Sequence, residues 1–228
     1  MEMGRFLRFA TGLSAALRHV HEHGLIHKDI KPTGQVWLTG FGIAARLPRE
    51  RQSPEPPELV AGTLAYMAPE QTGRMNRSID SRSDLYSLGV TMYETLTGAL
   101  PFIASDPMEW AHCHIARQPV PPVERLKDVP VPVSAIVSKL LAKTAEERYQ
   151  TAAGLERDLR RCLAEWEAQH RIDDFPLGQQ DTPDRLLIPE KLYGRAREVA
   201  TLLGAFDRVV KRGTPELVLV DDDGLARG

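Results

Sequence analysis

A mainly helical fold of the α+β class is predicted by three features of this sequence. Apolar residues recur at helical spacing over 5–23, 83–97, 131–143 and 152–169, each long enough for several turns. Strand character is confined to two short stretches, 35–39 and 216–220. Hydrophobic residues make up 42% of the 228 and charged residues 26%, the balance of a chain that buries a core.

Each element has a local reason. Phe6, Phe9, Leu13, Ala16, Leu17 and Val20 set the first helix, and Gly24 supplies its stop. Gln35-Val36-Trp37-Leu38-Thr39 alternates as a short strand does. Arg46 to Pro57 holds four prolines and several charges and reads as an exposed loop. The helix over 83–97 carries Leu85, Leu88, Gly89, Met92 and Leu96 as one buried stripe. Asp84 lies in its first turn, where the helix dipole favours an anion, and Gly98 and Pro101 end it. A shorter helix is expected over 107–116. Those over 131–143 and 152–169 follow, the last laced with opposite charges at helical spacing. Residues 171–191 read as a linker, with Pro176, Gly178, Pro183 and Pro189 among few large apolar groups. A helix over 195–212 and the strand 216–220 come next, before Asp221-Asp222-Asp223-Gly224.

Composition narrows the function. Lysine and arginine number 29 against 31 aspartates and glutamates, a net charge of −2, so nothing electrostatic points to nucleic acid or an anionic membrane as partner. Cys113 and Cys162 are too few and too far apart for a disulfide framework or a metal knuckle, and they fit a reducing cytoplasm. The apolar run Phe9 to Leu17 leads into Arg18-His19, not into a small-residue cleavage site, so it reads as a helix and not a secretion signal. No stretch approaches the length needed to span a bilayer. His19 and His23 stand four apart without an assured acidic or cysteine partner, and the side chains of His112-Cys113-His114 diverge in a helix, so no metal site is expected.

The chemistry is carried by short motifs. His27-Lys28-Asp29-Ile30-Lys31-Pro32 sets an imidazole, a carboxylate and cations within a few residues. Downstream stand Gly40-Phe41-Gly42, Gly62-Thr63-Leu64-Ala65-Tyr66-Met67-Ala68-Pro69-Glu70, Asp84-Leu85-Tyr86-Ser87-Leu88-Gly89 and Glu147-Arg148-Tyr149. In content and order these resemble the motifs of the large, C-terminal lobe of a serine/threonine protein kinase, across residues 1 to about 170. Phosphoryl transfer asks little covalent chemistry of a protein: a positioned hydroxyl, a base near it, and cations to neutralise phosphate charge.

The resemblance implies roles residue by residue. Asp29 would accept the proton of a substrate hydroxyl and Lys31 would stabilise the moving phosphoryl group, both as vestiges of the family's catalytic pair. Thr63 would bridge the two. Glu70, closing Ala68-Pro69-Glu70, would pair with Arg148, and Asp84 would hold the backbone of the catalytic loop that begins at His27. His27, Thr63, Glu70, Asp84 and Arg148 are thus structural. ATP and magnesium are the implied cofactors, a protein substrate or docking partner the implied partner, and the cytoplasm the implied compartment. Lys28 stands where the family has an arginine that reads loop phosphorylation through a bidentate contact; a lysine offers a point charge, so such control is expected to be weak.

The pattern also breaks. A small lobe with its Gly-rich loop, strand lysine and helix glutamate is not found in residues 1–228, and the chain is expected to lack one. Gly34 and Gly40 stand where the family has its two magnesium ligands, the catalytic-loop asparagine and the D-F-G aspartate. Gly40 follows Asp29 by 11 residues, shorter than the family spacing, so a strand that pairs with 35–39 is expected to be deleted. Leu192-Tyr193-Gly194-Arg195 with the helix and strand after it resembles the start of an AAA or STAND ATPase module. There, Asp221-Asp222-Asp223 replace the phosphate-cradling glycine loop. Lobe (1–170), linker (171–191) and truncated ATPase start (192–228) are similar in order to large bacterial proteins joining a serine/threonine kinase, an ATPase and a sensor histidine kinase. The expectation is a kinase-like large lobe without its small lobe, catalytically impaired. The alternatives are a pseudokinase acting as a binding or scaffold module, and a truncated remnant without function.

Overall fold

Helix α2 (Ser81–Thr97) is the axis around which the first part of the chain is built. Asp80 caps its start by accepting the Arg82 N–H, and Gly98 ends it in the left-handed conformation at φ 75°. The sequence predicts one buried stripe on this helix; instead every residue from Arg82 to Tyr93 is buried. The physical reason is that α2 has neighbours on all sides. They are α1 (Met3–Glu22), β1 (Leu25–Ile26), the 3₁₀ turns Leu64–Tyr66 and Pro69–Thr72, α4 (Pro122–Arg125) and α5 (Val131–Leu140). Gly89 lets α5 approach closely: a Cβ there would stand 2.7 Å from the Leu140 Cβ.

The computed structural model describes residues 2–31, 44–46, 64–75, 77–182, 218–221 and 224–227. The chain divides into two units, Met1–Leu186 and Leu187–Gly228. In the first, α1 packs along α6 (Ala152–Gln169), with Trp166 covering Gly4 and Arg18 paired to Glu156 at 2.9 Å. Phe6, Leu7, Ala10, Leu13 and Leu17 of α1 join Leu155 and Leu159 of α6 and the apolar residues of α2 and α5 in one core. Helix α3 (Pro107–Ile115) starts at Asp106, whose carboxylate accepts the N–H groups of Met108 and Glu109.

Two local departures have clear causes. Helix α5 ends at Leu140 rather than at residue 143: the Ala142 N–H turns to the Lys139 carbonyl, a tighter three-residue bond, and the carbonyls of Ala142 and Lys143 beyond the helix are satisfied by the Arg148 guanidinium. The pairing of β1 with β2 (Ala45–Arg46), antiparallel with Leu25 opposite Arg46, was not legible in the sequence, since two-residue strands carry no period. The expected strand 35–39, the bulk of the proline-rich loop and the helix 195–212 lie outside the described residues. Residues 171–182, read from the sequence as the start of a linker, lie along α6, with Ile172 buried and Phe175 and Leu177 packed on the core. In the second unit, β3 (Val218–Asp221) pairs antiparallel with β4 (Gly224–Arg227), Asp221 facing Gly224. No described helix is long and apolar enough to cross a membrane.

Candidate active site

The turn after α1 is strained, and the site is built on what holds it. Lys28 has a φ of 68°, a left-handed setting that costs a residue with a side chain about 1–3 kcal/mol unless its surroundings impose it. Asp84, fully buried in the first turn of α2, imposes it from one side. Its Oδ1 accepts the Lys28 N–H at 2.7 Å and its Oδ2 the His27 N–H at 2.8 Å. Gln71 imposes it from the other: its Nε2 donates to the Lys28 carbonyl at 3.1 Å while its Oε1 accepts the Ala68 N–H at 3.0 Å. One side-chain amide thus ties the strained residue to the segment Ala68-Pro69-Glu70.

The outcome is the placement of Asp29. Its N–H donates to His27 Nδ1 at 3.3 Å, and its carboxylate meets Lys31 Nζ at 2.8 Å on a partly exposed face. A carboxylate and an ammonium side by side at the surface can hold a hydroxyl and offset negative charge next to it. Thr63, Gly34 and Gly40 lie outside the described residues.

Two residues at this site were missed by sequence reasoning. His21 brings Nε2 to 2.9 Å from Asp84 Oδ2. Its signal was its distance from His27 across the Gly24 turn, where φ is 72° and the chain reverses. Gln71 had no such signal, because the Lys28 carbonyl it holds lies 43 residues away in the chain.

Glu70 and Arg148 form a fork, Nη1 to Oε1 at 2.7 Å and Nη2 to Oε2 at 2.9 Å, with both side chains almost wholly buried. Burial by itself raises the Glu70 pKa, but the charge and hydrogen bonds of Arg148, with Ser83 Oγ donating at 2.7 Å, outweigh it and hold the carboxyl below the usual range. The remaining Arg148 donors reach the carbonyls of Ala142, Lys143 and Arg82. Every charge-bearing group of the pair is therefore satisfied, which a buried ion pair requires.

Beside this pair sits His114 of α3. Its Nε2 donates to the Leu64 carbonyl at 2.9 Å, so Nδ1 is the acceptor for the Tyr86 hydroxyl at 3.0 Å. Burial pushes its pKa down to about 4, against the pull of the Leu64 carbonyl and with help from the charge of Lys143. Lys143 is itself pushed down to about 8, by burial first and then by Arg148. His114 thus pins the turn Leu64–Tyr66 to both α2 and α3.

Comparison with known proteins agrees with these motifs. The family described as the protein kinase domain matches residues 2–159. The serine/threonine-protein kinase PknB of Mycolicibacterium smegmatis is 42% identical over 162 residues, covering 68% of this chain and 26% of that protein. The protein of the same name in Mycobacterium leprae is 42% identical over 151 residues, covering 63% and 24%. The hybrid signal transduction histidine kinase G of Dictyostelium discoideum is 36% identical over 185 residues, covering 72% and 5%. The chain spans about a quarter of the length of the mycobacterial relatives, and far less of the third. With its match running from α1 into α6 and taking in every motif from His27 to Arg148, this chain belongs to the protein kinase domain family.

Proposed function

We propose that this chain is a serine/threonine protein kinase lobe that keeps the scaffold of phosphoryl transfer while its catalysis is impaired. One observation carries the reading: Gly34 and Gly40 occupy the places of the family's two magnesium ligands, and neither offers a side-chain oxygen. The family implies ATP and magnesium, but the donor set does not fit a bridging magnesium ion. Asp29 faces Lys31 at 2.8 Å, and among the described residues no group of three or more His, Cys, Asp or Glu is placed to hold a metal. Without bridging cations, less of the charge on a transferring phosphoryl group is offset, though Lys31 contributes. The protein substrate or docking partner, the cytoplasmic compartment and the ATPase start over 192–228 belong to the same reading. A relative named as a hybrid signal transduction histidine kinase supports placing this lobe in a multidomain signalling protein.

A second reading, a pseudokinase binding module, is favoured by the surface next to α3. A cleft lined by Leu64, Met67, Thr72, Arg74, Trp110 and His114 adjoins Met108, whose sulfur meets Arg74 and which is 54% exposed. The test that separates an enzyme from either form of impaired lobe is transfer of radiolabelled phosphate to a basic substrate protein. No transfer above background is expected. A rate that disappears in Asp29→Asn would restore the enzyme reading.

A further inference from the structure

The stretch 171–182 is held at both ends of α6. At the C-terminal end, Asp173 N–H donates to Glu165 Oε2 at 2.9 Å and Arg161 stacks over the Phe175 ring at 4.1 Å. In the middle, Gly178 N–H donates to Asp158 Oδ2 at 2.8 Å, the same oxygen that accepts the Tyr149 hydroxyl at 2.6 Å. At the N-terminal end, Asp181 accepts three hydrogen bonds: the Gln150 N–H at 2.5 Å, the Thr151 N–H at 2.9 Å and the Thr151 Oγ at 2.7 Å. Thr151 caps α6 within the helix, its Oγ accepting the Gly154 N–H, so Asp181 is a second cap supplied from 30 residues further along the chain. Gly154 is the glycine this arrangement needs, because a Cβ there would collide with the Asp181 carboxylate.

What Asp181 grips is the carrier of Arg148. The Gln150 side chain donates to the carbonyls of Ala145, Glu146 and Arg148 and accepts from Arg82 Nη1 at 3.0 Å. Arg148 in turn forks onto Glu70, and Glu70 accepts Ser83 Oγ. An unbroken set of hydrogen bonds therefore runs from the chain leaving the lobe to the end of the Ala68-Pro69-Glu70 segment. We propose that residues 171–182 are a clamp that fixes the setting of Arg148 and Glu70. The proposal concerns the fold of the lobe and does not depend on whether the lobe transfers phosphate.

Amide hydrogen exchange on the full chain tests it, comparing wild type with Asp181→Asn. Gln150 and Thr151, which lose a charged acceptor, should exchange about tenfold faster. The clamp further requires faster exchange at Arg148, Glu147 and Gln71, with Gly98 and Leu126 unchanged. Acceleration confined to Gln150 and Thr151 would reduce Asp181 to a local cap and overturn the proposal. Uniform acceleration that includes Gly98 and Leu126 would overturn it as well, being global loss of stability. Gly154→Ala, which displaces the carboxylate while keeping Asp181, should give the same pattern and serves if Asp181→Asn does not fold.

Discussion

Asp84 and Lys28, 56 residues apart in the chain, are joined by a 2.7 Å hydrogen bond at a lysine whose φ is 68°. The bond explains how a left-handed lysine persists: the carboxylate is wholly buried and is satisfied by two backbone N–H groups and His21. Asp84→Asn turns one acceptor into a donor facing an N–H group. It should cost about 3 kcal/mol or more in urea unfolding, whereas the exposed Asp173→Asn should cost under about 0.5 kcal/mol. Equal costs would mean that the loop sets itself.

Arg148 supports the lobe by a different route. Truncation to Ala leaves the Glu70 carboxylate buried without its cation and strands the carbonyls of Ala142, Lys143 and Arg82, so a loss of about 3–5 kcal/mol is expected. Arg171, 72% exposed and paired with Asp173, should cost under about 0.5 kcal/mol when changed to Ala. Denaturant midpoints of the two variants measure the difference.

His114 gives stability a pH dependence with a defined sign. Its folded-state pKa, about 4, lies below the ordinary value of 6.5, so as pH falls the unfolded chain takes up the proton first. The stabilisation is full above pH 6.5 and is lost progressively down to about 4, for a total of about 3 kcal/mol. Glu70, whose pKa is lowered, adds its own loss only further into the acid range, below its ordinary value of 4.5. His114→Gln should be less stable at neutral pH yet show a flatter profile between pH 6.5 and 4.5. A parallel profile would assign the dependence to other groups.

Nucleotide should bind poorly if Gly34 and Gly40 matter as proposed. A thermal melt with and without millimolar magnesium ATP should give one cooperative transition with no upward shift in midpoint, since only binding to the native state raises it. A rise of several degrees would show a nucleotide site built from other groups. Loss of the cooperative transition would favour the remnant reading over the binding module.

Much of this protein was legible in the sequence because its signals are local. The period of α1, the Gly98 stop and the order of motifs from His27 to Arg148 each depend on residues near one another in the chain. The tertiary structure decided what depends on distant partners. It buried α2 all round, since a helix cannot know how many neighbours will pack on it. It ended α5 at Leu140 and gave the carbonyls of Ala142 and Lys143 just beyond it to Arg148. It drew His21 and Gln71 to the strained Lys28 and turned residues 171–182 back onto α6, through hydrogen bonds whose two ends no sequence window contains.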